Sequence, residues 1–518
     1  MAFDNTAQLY GRRALKTNKK ITGVPEEDIK IVAEILTEVM PIHQENVAEQ
    51  ENLFKIYLND SSTWSKTKET RSDVNNIVSV PTAWALTRTL NGYCFGEPIK
   101  YVAKEIHSEE ESQDVKKQKQ VEYLSAMLDS VSNHDATVMA TLSASICGLG
   151  YKLCLPATKE EIEETGVPFI LNTKFIFPQY AGVVVSDESI EKDVLGFLIG
   201  DYIDENGEKK GNQYTCWTKY AQYLFKDGEG DIPYVLVKQK LSVTDANEVD
   251  FVPLTAKRIP LIEVERNFLR KGDWEVAKDL IALRNNLVSN RIDDIQQVLD
   301  YVLVLMNCQF ETEDDRKSAI QNRLLELKST DPVNKPSIEI LKNALDQNGI
   351  QTFADYIDLI IQECVGIPNR QERGGGGGDT GQAVKYRNGF RDLENNAGFI
   401  IPKMDKAELK LIALCLAYCR NNSETADVGN LKPYNVRCKF MRTLNDDIVS
   451  SAQAFATFFN NGLSLEQALL LSKTGTDPSE IAADAIKAKE EGRNYASLVT
   501  NATTETIVTE KQTDITAK

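Results

Sequence analysis

The sequence predicts an α+β protein, with helical segments toward both ends of the chain and a strand-rich section between them. Apolar residues recur at three-to-four spacing over residues 25–40 and again beyond Asp273, which is the helical period. Over residues 167–252 the pattern changes to short runs of Val, Ile, Phe and Tyr between turn residues, as in antiparallel sheets. The length of 518 residues is enough for about three domains.

The first predicted helix covers residues 25–40, and Pro41 is expected to end or kink it because proline lacks the N–H and clashes with the preceding turn. A second helical piece is predicted over residues 42–58. In the strand-rich section, the Asn206-Gly207 dipeptide indicates a tight hairpin, which requires a positive φ. Residues 259–264 are predicted as the last extended piece of this section.

A long helix is predicted to follow, with Asp273 as its cap and apolar spacing from Trp274 to Met306. About 33 residues at 1.5 Å each would span roughly 50 Å. The average globular helix has about 11 to 12 residues, so this one must cross a large domain or belong to a bundle or ring of neighbours. Beyond it, a small polar module precedes an amphipathic helix over residues 352–365.

The C-terminal part is predicted to be mainly helical, and its Thr-rich tail from about Ser497 is predicted to be disordered. The predicted helices cover residues 384–396, 406–421, 446–459 and 464–471, a last helix is capped by residues 477–480, and the one predicted strand covers residues 436–440.

Composition restricts the classes of function. The chain has 59 Lys and Arg against 77 Asp and Glu, a formal net charge of −18. Bulk attraction to DNA or to an anionic membrane needs an excess of positive charge, so tight groove-reading nucleic-acid binders are excluded. No run approaches the roughly 18 apolar residues of a membrane helix. The basic residues near the N-terminus precede no apolar stretch, so a secretory signal is not expected.

The residues that most often carry chemistry form no recognisable constellation. The nine cysteines include no CxxC pair and are predicted to be buried free thiols, as suits a reducing compartment. His43, His107 and His134 match no metal motif and are predicted to be surface or capping residues. Residues 227–231 resemble a calcium loop but lack its later Gly and Glu, so a strand-connecting turn is predicted. No catalytic residue, metal or cofactor is predicted.

The oddest local sequence is RGGGGGDTGQA over residues 373–383. Successive glycines favour neither helix nor strand, so the segment is predicted to be a mobile loop between two helices, with a flexible linker as the alternative. A phosphate-binding P-loop needs Lys and then Ser or Thr after its last glycine. Gln382 and Ala383 stand there instead, which argues against nucleotide binding.

The order of the elements resembles the portal proteins of tailed double-stranded DNA bacteriophages, in particular the siphophage type of Gram-positive hosts. The resemblance extends over nearly the whole chain and depends on the shared order of short motifs. These are NIVSV (76–80), GYCFGEPI (92–99), IPLIE (259–263), LIALRN (280–285), NRLLEL (322–327), ILK (340–342), GIP (366–368), TGQAVK (380–385), KF (439–440) and DPSE (477–480).

The resemblance implies a portal fold with a mixed wing region, long stem helices, a small α/β clip and a helical crown, assembled as a ring. The implied ranges are wing 1–258, first stem helix 259–305, clip 306–346, returning stem helix 347–370, Gly-rich tunnel loop 371–382, tunnel helix and wing return 383–440, crown 441–496 and a disordered tail 497–518.

The resemblance also implies the site residues. The implied DNA-channel loop residues are Arg373, Gly374, Gly375, Gly376, Gly377, Gly378, Asp379, Thr380 and Gln382. The implied clip residues for docking the motor and the connector are Glu311, Glu313, Asp314, Asp315, Arg316, Arg323 and Lys328.

By the same resemblance, the expected protein is a homo-oligomeric ring, a dodecamer of about twelve subunits, in the virion at one capsid vertex and assembled in the host cytoplasm. Its expected partners are double-stranded DNA in the channel, the terminase large subunit, the major capsid protein with the scaffold, and a head-completion (adaptor) protein. No membrane partner is expected. Two other functions stay open at this point: an NTP-dependent DNA-packaging factor, and an intracellular helical scaffold or adaptor protein.

Overall fold

The computed structural model describes residues 11–66, 74–104, 111–131, 133–157, 171–203, 207–230, 232–240, 248–299, 302–306, 308–309, 328–329, 337–341, 347–368, 390–422, 425–441 and 448–472. The chain divides into two compact units. The first comprises residues 1–374 and 387–440, and the second comprises residues 375–386 and 441–518.

The first unit mixes helices with sheet, as predicted. Its N-terminal elements are β1 (Leu15–Thr17), α1 (Pro25–Tyr57), a short 3-10 helix (Ser61–Thr63), α2 (Thr82–Phe95), β2 (Lys100–Ala103), α3 (Glu111–Ser130) and α4 (Asn133–Cys147). The strands that follow are β3 (Leu149–Pro156), β4 (Leu171–Ile176), β5 (Ala181–Ser186), β6 (Asp193–Ile203), β7 (Lys209–Trp217), β8 (Ala221–Asp227), β9 (Tyr234–Leu236), β10 (Gln239–Lys240), β11 (Glu248–Val249), β12 (Val252–Pro253) and β13 (Leu261–Glu265).

The antiparallel character predicted for the middle section is confirmed. One sheet has the order β1-β5-β6-β7-β8-β12, with β9 on β8; β1 pairs parallel with β5, and the other pairs are antiparallel. A second sheet has the order β13-β3-β4, and β10 pairs with β11. Gly207 has φ 82° next to β7, as the predicted hairpin requires, and residues 204–206 lie outside the described residues.

The main core lies between α1 and the larger sheet. Val32, Ile35 and Leu36 of α1 are buried with sheet residues such as Phe197 and Tyr223. Pro41 was predicted to end or kink the helix, and it does not end it, because α1 runs unbroken from Pro25 to Tyr57. The helix buries residues on both sides of the proline, and this packing offsets the lost backbone hydrogen bond.

His43 lies in this core, where it is 3 % exposed, so the prediction of a surface or capping histidine is wrong for this residue. Its Nε2 lies 3.2 Å from the carbonyl oxygen of Gln179, and its ring meets Phe197 edge-on. Burial disfavours the imidazolium and lowers the pKa of His43 to about 4.

The buried imidazole predicts a loss of stability at mildly acidic pH. Because the folded-state pKa is depressed, the unfolded chain binds the additional proton as pH falls below about 6.5. Between pH 7 and pH 5 the free energy of unfolding is expected to fall by about 2 kcal/mol through His43. Denaturation of the wild type and His43→Gln at both pH values checks this, since the variant should lose less. Equal losses would contradict the assignment.

After β13 come a 3-10 helix (Glu275–Ala277), α5 (Lys278–Leu299), β14 (Val302–Met306), β15 (Cys308–Gln309), β16 (Lys328–Ser329), β17 (Ser337–Leu341) and α6 (Gln347–Val365). The prediction of one helix to Met306 is wrong, because α5 ends at Leu299. The aliphatic run of β14 instead pairs antiparallel with β17, which extended β-branched and aliphatic residues favour. The amphipathic helix predicted over residues 352–365 is confirmed and begins earlier, at Gln347.

The first unit ends with α7 (Phe390–Arg420), α8 (Ala426–Gly429), a 3-10 helix (Pro433–Asn435) and β18 (Val436–Lys439), which pairs antiparallel with β2. The two helices predicted over residues 384–421 are one helix that contains Pro402, within the part the structure describes. Its flanking turns are buried, with Met404 at 1 % and Ala397 at 0 % exposure, which holds the helix together across the proline.

In the second unit, the described elements are α9 (Ile448–Asn460) and α10 (Leu465–Ser472), close to the two helices predicted there. The backbone N–H of Gln467 donates to Oγ of Ser464, as the predicted capping spacing requires. Residues 477–480 and the Thr-rich tail lie outside the described residues. A search of the described helices finds none with the length and apolar character to cross a membrane.

The thiol prediction is confirmed for seven cysteines, which are free and buried: Cys94, Cys147, Cys154, Cys216, Cys415, Cys419 and Cys438. It is wrong for Cys364, which is free and exposed on α6. Burial raises the pKa of the Cys147 thiol to about 11, so this group stays protonated and unreactive near neutral pH.

Candidate functional site

Most of the site residues expected from the sequence lie outside the described residues. This holds for the loop residues Arg373, Gly374, Gly375, Gly376, Gly377, Gly378, Asp379, Thr380 and Gln382, and for Glu311, Glu313, Asp314, Asp315, Arg316 and Arg323. Lys328 is described: it opens β16 and lies opposite Gln309 of β15. Strands β15 and β16 flank residues 310–327 in the chain, and helices α6 and α7 flank the loop residues.

The helices α5 and α6 form an antiparallel pair. The Arg284 guanidinium makes a bidentate ion pair with the Asp358 carboxylate, with 2.8 Å between Nη2 and Oδ2. About two helical turns further along α5, Arg291 Nη1 donates to Oε1 of Gln351 at 2.6 Å. Since the partner number falls as the α5 number rises, the helices run in opposite directions. Bidentate Arg–carboxylate geometry fixes orientation as well as distance.

A polar ladder attaches the extended segment 76–80 to the opposite side of α5. The backbone N–H groups of Val80, Val78 and Asn76 donate to the side chains of Asn285, Ser289 and Asp293 at 2.9, 3.0 and 2.8 Å. The three acceptors are 5 %, 0 % and 0 % exposed. The Lys66 ammonium also pairs with the Asp293 carboxylate.

The spacing of the ladder explains its regularity. Two residues of extended chain rise about 6.6 Å. Four residues of helix rise about 6 Å. Alternate residues of the segment therefore meet every fourth residue of the helix. Residues 76–80 and 280–285, which contribute two of the short motifs, thus meet in space. The sequence signal was the polar i, i+4, i+8 row of Asn285, Ser289 and Asp293 within this helix.

Replacing Asp293 with Ala should open this ladder. It leaves the Asn76 amide and the Lys66 ammonium without their carboxylate, which costs about 1–3 kcal/mol for an unsatisfied buried polar group. Hydrogen exchange at Asn76 and Val78 is expected to speed up by roughly tenfold or more. The matched control is Asp294→Ala, which removes the neighbouring carboxylate from a different face of α5. Equal exchange in both variants would show that Asp293 does not hold the segment.

The segment that enters α5, residues 266–275, is tightly fixed. Arg266 makes a bidentate pair with Asp273, with distances of 2.8 and 2.6 Å. Asp273 is therefore engaged by an arginine, and the predicted helix cap is wrong: Trp274 precedes the first helical turn. Arg12 of the N-terminal segment bonds both the Cys147 carbonyl and Glu275. These contacts connect the segment before α5 to the end of α4 and to the N-terminal segment.

Glycine allows the closest backbone approach at this junction. A Cβ on Gly148, which has φ 85°, would lie 2.1 Å from the carbonyl oxygen of Arg270. That carbonyl also accepts from the N–H of Arg12 at 3.1 Å. The backbone of three separate segments meets at this point, so no side chain fits.

Helix α7 is attached to the sheets through ion pairs of different burial. Glu408 and Lys152 form a pair at 2.7 Å, and they are 0 % and 1 % exposed. Tyr101 of β2 donates to the other oxygen of Glu408 at 2.8 Å, and Thr137 accepts from Lys152 at 2.9 Å. Nearer the surface, Lys410 pairs with Asp193 at 2.7 Å. The buried network joins α7 to β2, β3 and α4.

An apolar stripe on α6 faces outward within the first unit. Phe353 is 46 % and Tyr356 is 56 % exposed, Cys364 is exposed, and Ile360 is half-buried. Their spacing of three, four and four places them on one face of the helix. The neighbouring face, with Ile357, Ile361 and Val365, is buried. Within the described residues there is no cluster of three or more His, Cys, Asp or Glu side chains that could hold a metal ion.

The described residues thus contain a helix pair, α5 and α6, that is braced by polar contacts and has an exposed apolar face on α6. The family model described as phage portal protein, SPP1 Gp6-like, matches residues 37–496. The chain therefore belongs to the phage portal protein family, a family of structural components of the phage capsid. No curated protein sequence matches the chain.

Proposed function

We propose that this chain forms a ring-shaped channel at one vertex of a phage capsid, through which DNA is packaged and later ejected. The observation that carries the proposal is the family match over residues 37–496. The protein is proposed to be a homo-oligomer, with a dodecamer of about twelve subunits as the expected ring. It acts in the virion after assembly in the host cytoplasm and performs no catalysis.

The regions of the portal fold are proposed on the same basis. Residues 1–258 are assigned to the wing, 259–305 and 347–370 to the stem, 306–346 to the clip, 371–382 to the tunnel loop, 383–440 to the tunnel helix and wing return, 441–496 to the crown and 497–518 to the tail. The antiparallel pairing of α5 and α6 supports the stem assignment, because a stem needs two helices that lead into and out of the clip.

The apolar stripe on α6 supports ring formation. A face with Phe353 and Tyr356 about half exposed is stabilised when a neighbouring subunit covers it. A head-to-tail contact between two different surfaces of identical chains repeats until the ring closes. The net charge of −18 suits a channel that lets DNA slide, because each Lys or Arg contact to phosphate would add affinity.

The glycine-rich loop is proposed to project into the channel, and this makes a prediction. Deleting three of the residues from Gly374 to Gly378 should leave ring assembly intact but reduce packaging or retention of DNA, because a shorter loop reaches less far toward the duplex. Nuclease-protected DNA in assembled particles is the measurement. The control replaces the five glycines with a Gly-Ser run of equal length. Wild-type packaging by the shortened loop would count against the loop's role.

The clip residues named above are proposed to dock the terminase large subunit during packaging and the head-completion protein afterwards. The major capsid protein and the scaffold are the proposed partners around the ring. The competing function, an NTP-dependent packaging factor, is tested by nucleotide hydrolysis with the purified chain. Turnover by the isolated protein would favour that alternative, and we expect none. The other alternative, a helical scaffold or adaptor protein, predicts an oligomer with fewer subunits than the proposed ring.

A further inference from the structure

The two-stranded ribbon formed by β2 and β18 has one buried and one basic face. Lys100 lies directly opposite Lys439, and Val102 lies opposite Arg437. The ladder continues to Lys104, whose N–H donates to the Asn435 carbonyl at 2.7 Å.

Directly opposite residues of a strand pair point to the same face, and residues two apart along a strand share that face. Lys100, Lys104, Arg437 and Lys439 therefore share one face of the ribbon. Three of these four side chains are exposed, and Lys439 is half-buried.

The other face of the ribbon explains its attachment. Tyr101, Val436 and Cys438 are 6 %, 4 % and 8 % exposed. Two carboxylates of the described residues lie on this side: Glu408 accepts from Tyr101, and Asp405 interacts with the Cys438 thiol. Asp405 also feels the charge of Arg437. These two carboxylates therefore lie on the buried face of the ribbon, and the positive side chains lie on the basic face.

The basic face costs stability in the isolated chain. Like charges directly opposite each other on a strand pair are destabilising. Among the described residues, no carboxylate lies within ion-pair distance of Lys100, Lys104 or Arg437. Other strand lysines of the first unit do have such partners: Lys152, Lys209 and Lys210 pair with Glu408, Asp201 and Glu208. Because Lys100, Lys104 and Arg437 lack such partners among the described residues of a chain of net charge −18, the basic cluster indicates a site for an anionic ligand.

We propose that this ribbon contacts the phosphate backbone of duplex DNA. The side chains are arranged in a regular row, about 6.6 Å apart along a strand and about 5 Å across it, which suits a repeating line of negative charge. A protein partner would need an apolar centre, because charged residues are depleted at the core of protein interfaces. The ribbon offers only Val102 there. The inference rests on the proposed function, in which DNA passes close to this protein.

The contact is sequence-independent and weak. Phosphate contacts position DNA and carry no sequence information directly. The three exposed cations Lys100, Lys104 and Arg437 give a local attraction that salt screens easily, so it holds DNA near the protein without stopping its movement. Such a contact is compatible with the sliding passage that the net charge favours.

The test measures binding of the full-length protein to a blunt DNA duplex over a series of NaCl concentrations. The slope of log affinity against log salt should fall by about 2 in Lys100→Gln/Arg437→Gln, since each lost phosphate contact removes about 1. The charge-matched control, Lys209→Gln/Lys210→Gln, removes two exposed lysines that are paired with carboxylates and should keep the wild-type slope. The exchange Lys100→Arg/Arg437→Lys should also keep it.

Three results would overturn the inference. Equal losses in the ribbon variant and the control would show that only bulk charge matters. An unchanged slope in Lys100→Gln/Arg437→Gln would show that these side chains do not contact phosphate. This result is expected if the carboxylates that follow Lys104 in the sequence neutralise the ribbon. Polyglutamate is the probe for an acidic protein partner. If Lys100→Gln/Arg437→Gln lost binding to polyglutamate but kept its binding to DNA, the face would be assigned to an acidic protein. Electron microscopy of the same samples separates the two proposals: rings with an unchanged slope contradict only this inference, whereas a wild type without rings contradicts the proposed function.

Discussion

Replacing Lys152 with Ala is expected to lower the free energy of unfolding by about 3–5 kcal/mol, because it leaves the Glu408 carboxylate buried and unpaired. Glu408 is fully buried, and its remaining partners Tyr101 and Thr137 are neutral hydroxyls. Chemical denaturation at matched protein concentration measures the change, since assembly adds its own stability.

Lys410→Ala is the matched control. Lys410 lies on α7 and also forms an ion pair with a carboxylate, that of Asp193. The Lys410 side chain is 37 % exposed and that of Asp193 is 30 % exposed, so a loss of at most about 1 kcal/mol is expected. A third variant separates charge from packing: Lys152→Met with Glu408→Gln removes both charges and keeps an acceptor for Tyr101. It should recover most of the loss. Similar losses for Lys152→Ala and Lys410→Ala would contradict the burial argument.

Gly148→Ala is expected to destabilise the junction before α5 by about 2–5 kcal/mol. About 1–2 kcal/mol comes from placing an L-residue at φ 85°. About 1–3 kcal/mol more comes from the collision of the new Cβ with the Arg270 carbonyl, which is backbone and cannot rotate away.

Gly207→Ala separates these two contributions. Gly207 has nearly the same φ, 82°, but a Cβ there would meet nothing within 4 Å. Its expected loss is the conformational part alone, about 1–2 kcal/mol. The difference between the two variants, measured by thermal or chemical denaturation, gives the cost of the close approach. Equal losses would mean that the three segments around Gly148 can separate at little cost.

Patterns with a short period were predicted well. The short runs of Val, Ile, Phe and Tyr in the middle section predicted its antiparallel strands, and the amphipathic spacing of α6 located that helix. The errors arose where tertiary packing overrode a local rule. Pro41 and Pro402 lie inside continuous helices because both sides of each proline are buried. The β14 run has helical spacing, but its pairing with β17 makes it a strand.

The contacts that brace the helices were beyond sequence patterns for a different reason. Lys152 and Glu408 are 256 positions apart, and nothing local in either segment marks a buried pair. One side of the ladder between α5 and residues 76–80 can be recognised in the sequence, namely the polar row Asn285, Ser289 and Asp293. Its partner was backbone, which has no sequence signature. The family was predicted from the resemblance, because its motifs are ordered over nearly the whole chain, and the family match likewise covers residues 37–496.

Imaging of the purified full-length protein by negative-stain electron microscopy, with a mass measurement in solution, tests the central claim most directly. The proposed portal function predicts closed rings with a central channel and a mass of many subunits. A monomer or dimer under all conditions, including with capsid protein and scaffold present, would contradict it.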